Sequence, residues 1–113
     1  MEKNTREELT ISNIYGPRVS SLLQEIGMDP NLKGFNYFLE AVEICLNEHV
    51  DTLTKQIYPS IAEKHSTTAQ SVERNMRYAV RAANRTDEWE KLKIGSTNID
   101  IIMSVIRIVV FCV

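Results

Sequence analysis

Four arginines with helical spacing give this sequence its clearest chemical signal. The residues are Arg74, Arg77, Arg81 and Arg85. They recur every three or four positions, so on an α-helix, at roughly 100° per residue, they share one stripe. Guanidinium groups donate paired hydrogen bonds to phosphate oxygens and to the O6 and N7 edge of guanine. The spacing is therefore typical of a helix face that binds nucleic acid, although a solvated helix face has the same composition.

The opposite face of this helix is apolar, which is typical of a helix that packs on a core. The residues on that face are Val72, Met76, Ala79, Val80 and Ala83. We expect the helix to cover residues 67–84. Ser66, Thr67 and Thr68 are all N-cap residue types, and Thr67 with Gln70 three positions later fits the spacing of a capping box. Gln70 also lies on the basic stripe.

A short helix and a turn precede the basic helix. Pro59 is best tolerated in the first turn of a helix, so we expect a helix over residues 59–65 and then a turn of few residues. Ala62 is small where the two helices must approach, and Val72 faces their junction. This succession predicts a helix-turn-helix. The turn favours DNA binding over a merely solvated face.

The remaining apolar spacings predict further helices and no strand. A helix over residues 19–26 ends at Gly27, a natural C-terminal cap. Residues 35–46 keep helical spacing and should form the buried spine. A short helix is expected over residues 88–92, and a last apolar helix after the cap residues 96–98. The fold class is therefore all-α, with about six helices and an embedded helix-turn-helix.

The start of the chain is charged and then reaches Tyr15-Gly16-Pro17, a stop signal for regular structure. We expect an N-terminal arm or linker at residues 1–17 and one helical domain at residues 18–113. The chain has 113 residues, of which 43% are hydrophobic and 25% charged. This size and composition fit one compact domain with its own core.

Charge is unevenly distributed along the chain. The net charge is −2 and the pI is ≈ 5.7, so no global cationic field attracts the protein to nucleic acid or to an anionic membrane. Residues 64–93, however, hold seven Lys and Arg against four Asp and Glu. Binding to DNA is therefore expected to depend on this local basic patch.

Cysteine usage and hydropathy indicate a compartment. Cys45 and Cys112 lack the spacing of a disulfide framework or a metal site, and the first residues do not form a secretory leader. A reducing cytoplasm is the expected location. The apolar residues 101–113 are fewer than the roughly 20 that a spanning helix needs, and they include Arg107. No membrane association is expected.

No active site is visible in the sequence. His49 and His65 lack partners at metal-ligand spacing, and the chain has neither a glycine-rich phosphate loop nor a nucleophile elbow. We therefore expect no metal, no cofactor, no small-molecule substrate and no enzymatic activity. A small helical enzyme is the least favoured interpretation.

Several of these segments resemble one family of transcription regulators. The chain is similar to the C-terminal DNA-binding effector domain of stage zero sporulation protein A, the sporulation response regulator. The resemblance covers roughly residues 19–106. It is carried by LQEIG at residues 23–27, KGFNY at 33–37, IYPSIAEK at 57–64 and TTAQSVERNMRYA at 67–79.

The resemblance implies that the basic helix enters the major groove of a DNA box resembling TGTCGAA. Such boxes are bound by tandem head-to-tail copies, and a homodimer is also considered. By position, Glu73, Arg74 and Arg77 match base-reading residues, with the arginines on guanines and Glu73 assisting. Gln70 falls at a contacting position with a different side chain. Expected phosphate contacts are Lys64, Ser66 and Thr68 from the resemblance, and Arg81 and Arg85 from the helical stripe.

The chain departs from the family pattern in three places. Tyr78 stands beside the basic stripe where the family commonly has His, so the contact with a flanking base or phosphate is expected to differ. Fewer than twenty residues precede the first effector helix, whereas family members carry a receiver domain there. Control by phosphorylation within this chain is thus not expected, and the chain is either an excised domain or a short relative. The last helix stays apolar to Val113.

Two questions stay open at this point. The apolar C-terminal tail is a fully buried core helix, a self-association patch or a truncated terminus. The alternative function is a protein-interaction module or antagonist paralogue. Such a protein keeps the fold without specific DNA binding and uses the arginine stripe or the tail to bind an acidic partner or the full-length regulator.

Overall fold

The structure, a computed structural model, describes residues 11–48 and 53–111. A π-helical turn at Leu53–Ile57 leads into the third of its α-helices. The part of the chain that is described contains no strand, which confirms the prediction of an all-α fold with about six helices. The helices are α1 (Ile11–Glu25), α2 (Lys33–Glu48), α3 (Tyr58–Lys64), α4 (Ala69–Ala82), α5 (Asp87–Lys91) and α6 (Asn98–Phe111).

Residues 11–17 are helical, so the predicted stop at Tyr15-Gly16-Pro17 is wrong, while the division of the chain into an arm and a domain stays a prediction. α1 continues through Gly16 and Pro17. Pro17 cannot donate a hydrogen bond to the preceding turn, but its ring is exposed, and Tyr15 and Val19 pack against the core. Burial of these two side chains offsets the missing hydrogen bond. Residues 1–10 of the expected arm lie outside the described residues.

α2 is the central element of the core, as its apolar spacing predicts. It contacts α1, α3, α4 and α6, and Phe38 and Ala41 on it have no exposed surface. The start of α2 lies against the backbone of α4, because a Cβ built on Gly34 would overlap the carbonyl oxygen of Asn75. Only a glycine lets the two helices approach this closely.

α6 is buried on one face, so the alternative of a fully buried last helix is wrong. Ile101 and Ile102 have no exposed surface, and α6 contacts α1, α2 and α4. On the outer face, Met103 is 43% exposed and Phe111 is 68% exposed. Residues 112–113 lie outside the described residues. Among the described helices, none has the length and apolar character needed to cross a bilayer.

Backbone contacts fasten the end of α1 to the loop after α4. Gly27 has a φ of 104° and ends α1 in the left-handed conformation that glycine adopts without strain. Its carbonyl oxygen accepts a hydrogen bond from the Asn84 N–H at 2.9 Å. The hydroxyl of Thr86 donates to the Glu25 carbonyl oxygen at 2.7 Å. The end of α1 thus determines where the chain leaves α4.

Gly27→Ala is expected to destabilise the domain by about 2 kcal/mol or more, since a left-handed residue with a Cβ already costs roughly 1–2 kcal/mol. In addition, the new Cβ would overlap the carbonyl oxygen of Asn84. Urea unfolding followed by circular dichroism measures the loss. Gly16→Ala is the matched control, because nothing lies within 4 Å of a Cβ at that position. It should change the free energy of unfolding by less than about 1 kcal/mol; equal losses would contradict the close contact at Gly27.

Candidate nucleic-acid interface

The turn between α3 and α4 is built by backbone hydrogen bonds. Ser66 has a φ of 55°, and its N–H donates to the Glu63 carbonyl at 3.3 Å. The Thr67 N–H donates to the Ala62 carbonyl at 2.9 Å. This pair of bonds is a Schellman ending, which reverses the chain between the helices. Ala62 is buried at the junction, and α3 packs on α4, so the predicted helix-turn-helix is present.

Thr68, and not Thr67, caps α4, so the predicted capping box is wrong. The Thr68 hydroxyl oxygen accepts a hydrogen bond from the Ser71 N–H at 3.0 Å, and Thr68 has the extended backbone of an N-cap. The Thr67 N–H already closes the preceding turn, so it does not donate to the Gln70 side chain as a capping box requires. α4 therefore begins at Ala69, and Gln70 is exposed on its first turn.

α4 has one buried and one exposed face, as the sequence predicts. Val72, Met76 and Ala79 have no exposed surface, and Val80 is almost completely buried. Tyr78 on the other side is 53% exposed. The structure places most of the expected site residues of α4 on this outer face, where the exposed side chains are Gln70, Arg74, Arg77, Tyr78 and Arg81.

Arg85 is not on the helical stripe, which corrects the expectation from the sequence. α4 ends at Ala82, and Ala83 has an extended backbone with ψ of 137°. The chain turns away here because the Asn84 N–H bonds to the carbonyl of Gly27, just after α1. Arg85 instead lies in the loop before α5, with its guanidinium 4.2 Å from the centre of the Trp89 ring. Three arginines, and not four, share the outer face of α4.

Glu73 is paired with one arginine of the outer face. Its Oε1 lies 3.5 Å from Nη2 of Arg77. Glu73 is partly buried, whereas Arg77 and Arg74 are exposed. The carboxylate therefore pairs with Arg77 across one turn of α4. The pair is partly exposed, so its own contribution to stability is small, about 0.3–0.5 kcal/mol for this spacing.

Glu40 on α2 holds the start of the turn, and sequence reasoning missed it. Its Oε2 lies 2.7 Å from Nε2 of His65, and its Oε1 lies 3.6 Å from Nζ of Lys64. The His65 ring meets the Tyr37 ring edge to face at 5.2 Å. No local sequence pattern predicts this cluster, because 25 residues separate Glu40 from His65. Within the described residues, no group of three or more side chains could hold a metal ion.

A buried phenol lies behind the outer face of α4. The Tyr58 hydroxyl accepts a hydrogen bond from Nδ2 of Asn98 at 3.0 Å. Burial raises the pKa of Tyr58, while the hydrogen bond from Asn98 lowers it and the nearby charge of Glu73 raises it. The phenol therefore stays protonated at neutral pH. Sequence reasoning missed Asn98 as a side chain that bonds inside the fold and treated it only as part of a cap.

These features define a class of protein. A short helix, a tight turn and a longer helix with a basic outer face form a helix-turn-helix DNA-binding domain. The family model described as the sporulation initiation factor Spo0A C terminal matches residues 19–101. The chain belongs to this family, a family of DNA-binding sporulation effector domains and not of enzymes, and DNA is its partner. The match confirms the resemblance seen in the sequence and ends one turn into α6.

Thr68→Ala is expected to lower the free energy of unfolding by about 1 kcal/mol, because the Ser71 N–H loses its side-chain acceptor. Thr67→Ala is the control and should be nearly neutral, since its hydroxyl does not cap α4. Thermal and urea unfolding of both variants measure the difference. A larger loss at Thr67 than at Thr68 would show that the capping box of the sequence prediction forms after all.

Proposed function

We propose that this chain is a sequence-specific transcription regulator in which α4 enters the major groove of double-stranded DNA. The outer face of α4 is the observation that carries the proposal, because Arg74, Arg77 and Arg81 are exposed there directly after the helix-turn-helix turn. In such domains the second helix lies in the major groove with its N-terminal residues at the base edges. Membership of a DNA-binding family supports the same function.

Arg74 and Arg77 are the proposed readers of guanine. Both lie in the first two-thirds of α4, and each guanidinium can donate two hydrogen bonds to O6 and N7. Glu73 holds Arg77 at 3.5 Å, which restricts the side chain before DNA binds and so lowers the entropic cost of binding. Gln70 and Tyr78 are exposed on the same face and are proposed to contact the flanking bases or phosphates.

The proposed phosphate contacts lie at the end of α3, in the turn, on α4 and in the loop before α5. Lys64, the last residue of α3, is already 3.6 Å from Glu40, so it must exchange one ion pair for another. Arg81 extends the basic face of α4. In the loop before α5, Arg85 adds a further cation, and its guanidinium lies over the Trp89 ring. The proposed residues are Lys64, Ser66, Thr68, Arg81 and Arg85.

The proposed target is a DNA box resembling TGTCGAA, bound by head-to-tail tandem copies or by a homodimer. The family resemblance supports this target, because the base-reading positions carry Glu73, Arg74 and Arg77. Fluorescence anisotropy of the full chain with the box duplex and with a scrambled duplex, over a salt series, tests it. A preference for the box with a steep negative salt slope is expected. If neither duplex is preferred, selection from a random library distinguishes a different target from a protein without sequence specificity.

Arg74→Ala is expected to cost roughly 1–3 kcal/mol of binding free energy at its cognate base pair and to relax specificity there. Arg74→Lys is the matched control, because it keeps the charge but not the planar fork. It should keep the salt slope of the wild type and still lose discrimination at that base pair. Equal losses on box and scrambled duplexes for both variants would contradict a base-reading role.

Arg85→Ala should weaken binding to box and scrambled duplexes equally and reduce the salt slope by about one, as expected for a phosphate contact. Arg18→Ala removes the same charge from α1, where the guanidinium donates to the Val109 carbonyl at 3.1 Å. The Arg18 variant should keep the wild-type slope. A loss of discrimination in the Arg85 variant would instead place this residue at a base.

The protein-interaction module is the second candidate function, and the outer face of α6 favours it. Met103 and Phe111 are exposed there, and both lie beyond the residues that match the family. Absence of salt-dependent DNA binding, together with co-purification with a full-length regulator, would support this candidate over the DNA reader.

A further inference from the structure

The buried side-chain amide of Asn98 connects α6 to both α3 and α4. Asn98 is the first residue of α6 and is 8% exposed. Its Nδ2 donates to the hydroxyl of Tyr58, the first residue of α3, at 3.0 Å. The same nitrogen lies 3.4 Å from the carbonyl oxygen of Glu73 in α4, a longer hydrogen bond. The side chain of one residue in α6 therefore contacts α3 and α4 together.

The chemistry of these groups determines how they must be arranged. An amide nitrogen has two hydrogens to donate, and both have an acceptor here. Because the carbonyl oxygen of Glu73 can only accept, the nitrogen of Asn98, and not its oxygen, must face it. Unpaired polar groups in this buried position are costly. The three helices therefore resist sliding or rotating against one another.

We propose that Asn98 is a positioning residue for DNA recognition, which fixes the turn of α4 that carries Glu73, Arg74 and Arg77 relative to α3 and α6. This inference rests on the proposed function of α4. The bonded carbonyl belongs to the residue whose carboxylate lies 3.5 Å from the Arg77 guanidinium. The backbone carbonyl of Glu73 thus bonds to Asn98, while the carboxylate of the same residue pairs with Arg77.

The apolar contacts of α4 cannot supply this restraint by themselves. Val72 and Met76 hold α4 against the core, but apolar attraction is not directional and tolerates small rotations of a helix about its axis. A hydrogen bond requires a narrow range of distance and angle. Reading a base edge also requires side chains placed to a fraction of an ångström. The polar contact at Asn98 adds a directional restraint at the turn of α4 that carries Glu73, in addition to the backbone contacts at Asn75 and Asn84.

The test compares Asn98→Ala with Ile102→Val in the full chain. Ile102 lies one turn further along α6 and has no exposed surface, and its substitution should cost stability comparable to a lost hydrogen bond. The readout is the ratio of Kd values for scrambled and box duplexes, at a temperature where circular dichroism shows each variant folded. Asn98→Ala should lower this ratio about tenfold with scrambled binding unchanged, whereas Ile102→Val should keep it. Tyr58→Phe, which removes one acceptor, should give a smaller decrease.

Hydrogen exchange supplies a readout that does not involve DNA. In an α-helix the Arg77 N–H donates to the Glu73 carbonyl. Protection of the Arg77 amide against hydrogen exchange therefore measures how stably the turn at residues 73–77 is formed. It should fall about tenfold more in Asn98→Ala than in Ile102→Val.

Each outcome has a defined meaning. An unchanged binding ratio in Asn98→Ala, or an equal loss in Ile102→Val, overturns the positioning role. If the wild type fails to discriminate between any duplexes, the proposed function fails, and the protection of the Arg77 amide alone then decides whether Asn98 positions α4. If Asn98→Ala does not fold, Tyr58→Phe is compared with Ile102→Val in the same two measurements.

Discussion

The orientation of α4 depends on backbone contacts that leave no room for a side chain. Gly34 brings the start of α2 against the Asn75 carbonyl, and Gly27 brings the end of α1 against Asn84. Both neighbours belong to α4 or to the residues just after it. Because backbone groups have little freedom to move, these contacts restrict α4 more tightly than side-chain packing alone. The face that α4 turns to solvent, and hence its charge, follows from this orientation.

Charge in this domain acts locally. The net charge of −2 would oppose binding to a polyanion, yet the exposed side of α4 is basic because its acidic residue, Glu73, pairs with Arg77. The carboxylate of Glu40 lies behind the turn, where it contacts Lys64 and His65 and connects the turn to α2. A basic face on an acidic domain favours one orientation on DNA, since the acidic surfaces are repelled by phosphates.

Signals within a few residues were sufficient to predict much of the molecule from its sequence. The 3.6-residue spacing of apolar positions predicts the all-α class and the buried face of α4, because a helix places these residues on one side whatever surrounds it. Arg74, Arg77 and Arg81 are exposed for the same reason. The turn residues and the motifs at residues 23–79 also identified the family, which the match over residues 19–101 confirms.

The tertiary structure alone decided where helices end and which distant groups meet. α1 passes through Pro17 because burial of its neighbours outweighs a missing hydrogen bond. α4 stops at Ala82, and Arg85 leaves the stripe, because Asn84 bonds to Gly27. The contacts of Glu40 with His65 and of Asn98 with Tyr58 join residues 25 and 40 positions apart. Periodicity carries no information at such separations, since these bonds form only when the core has brought the helices together.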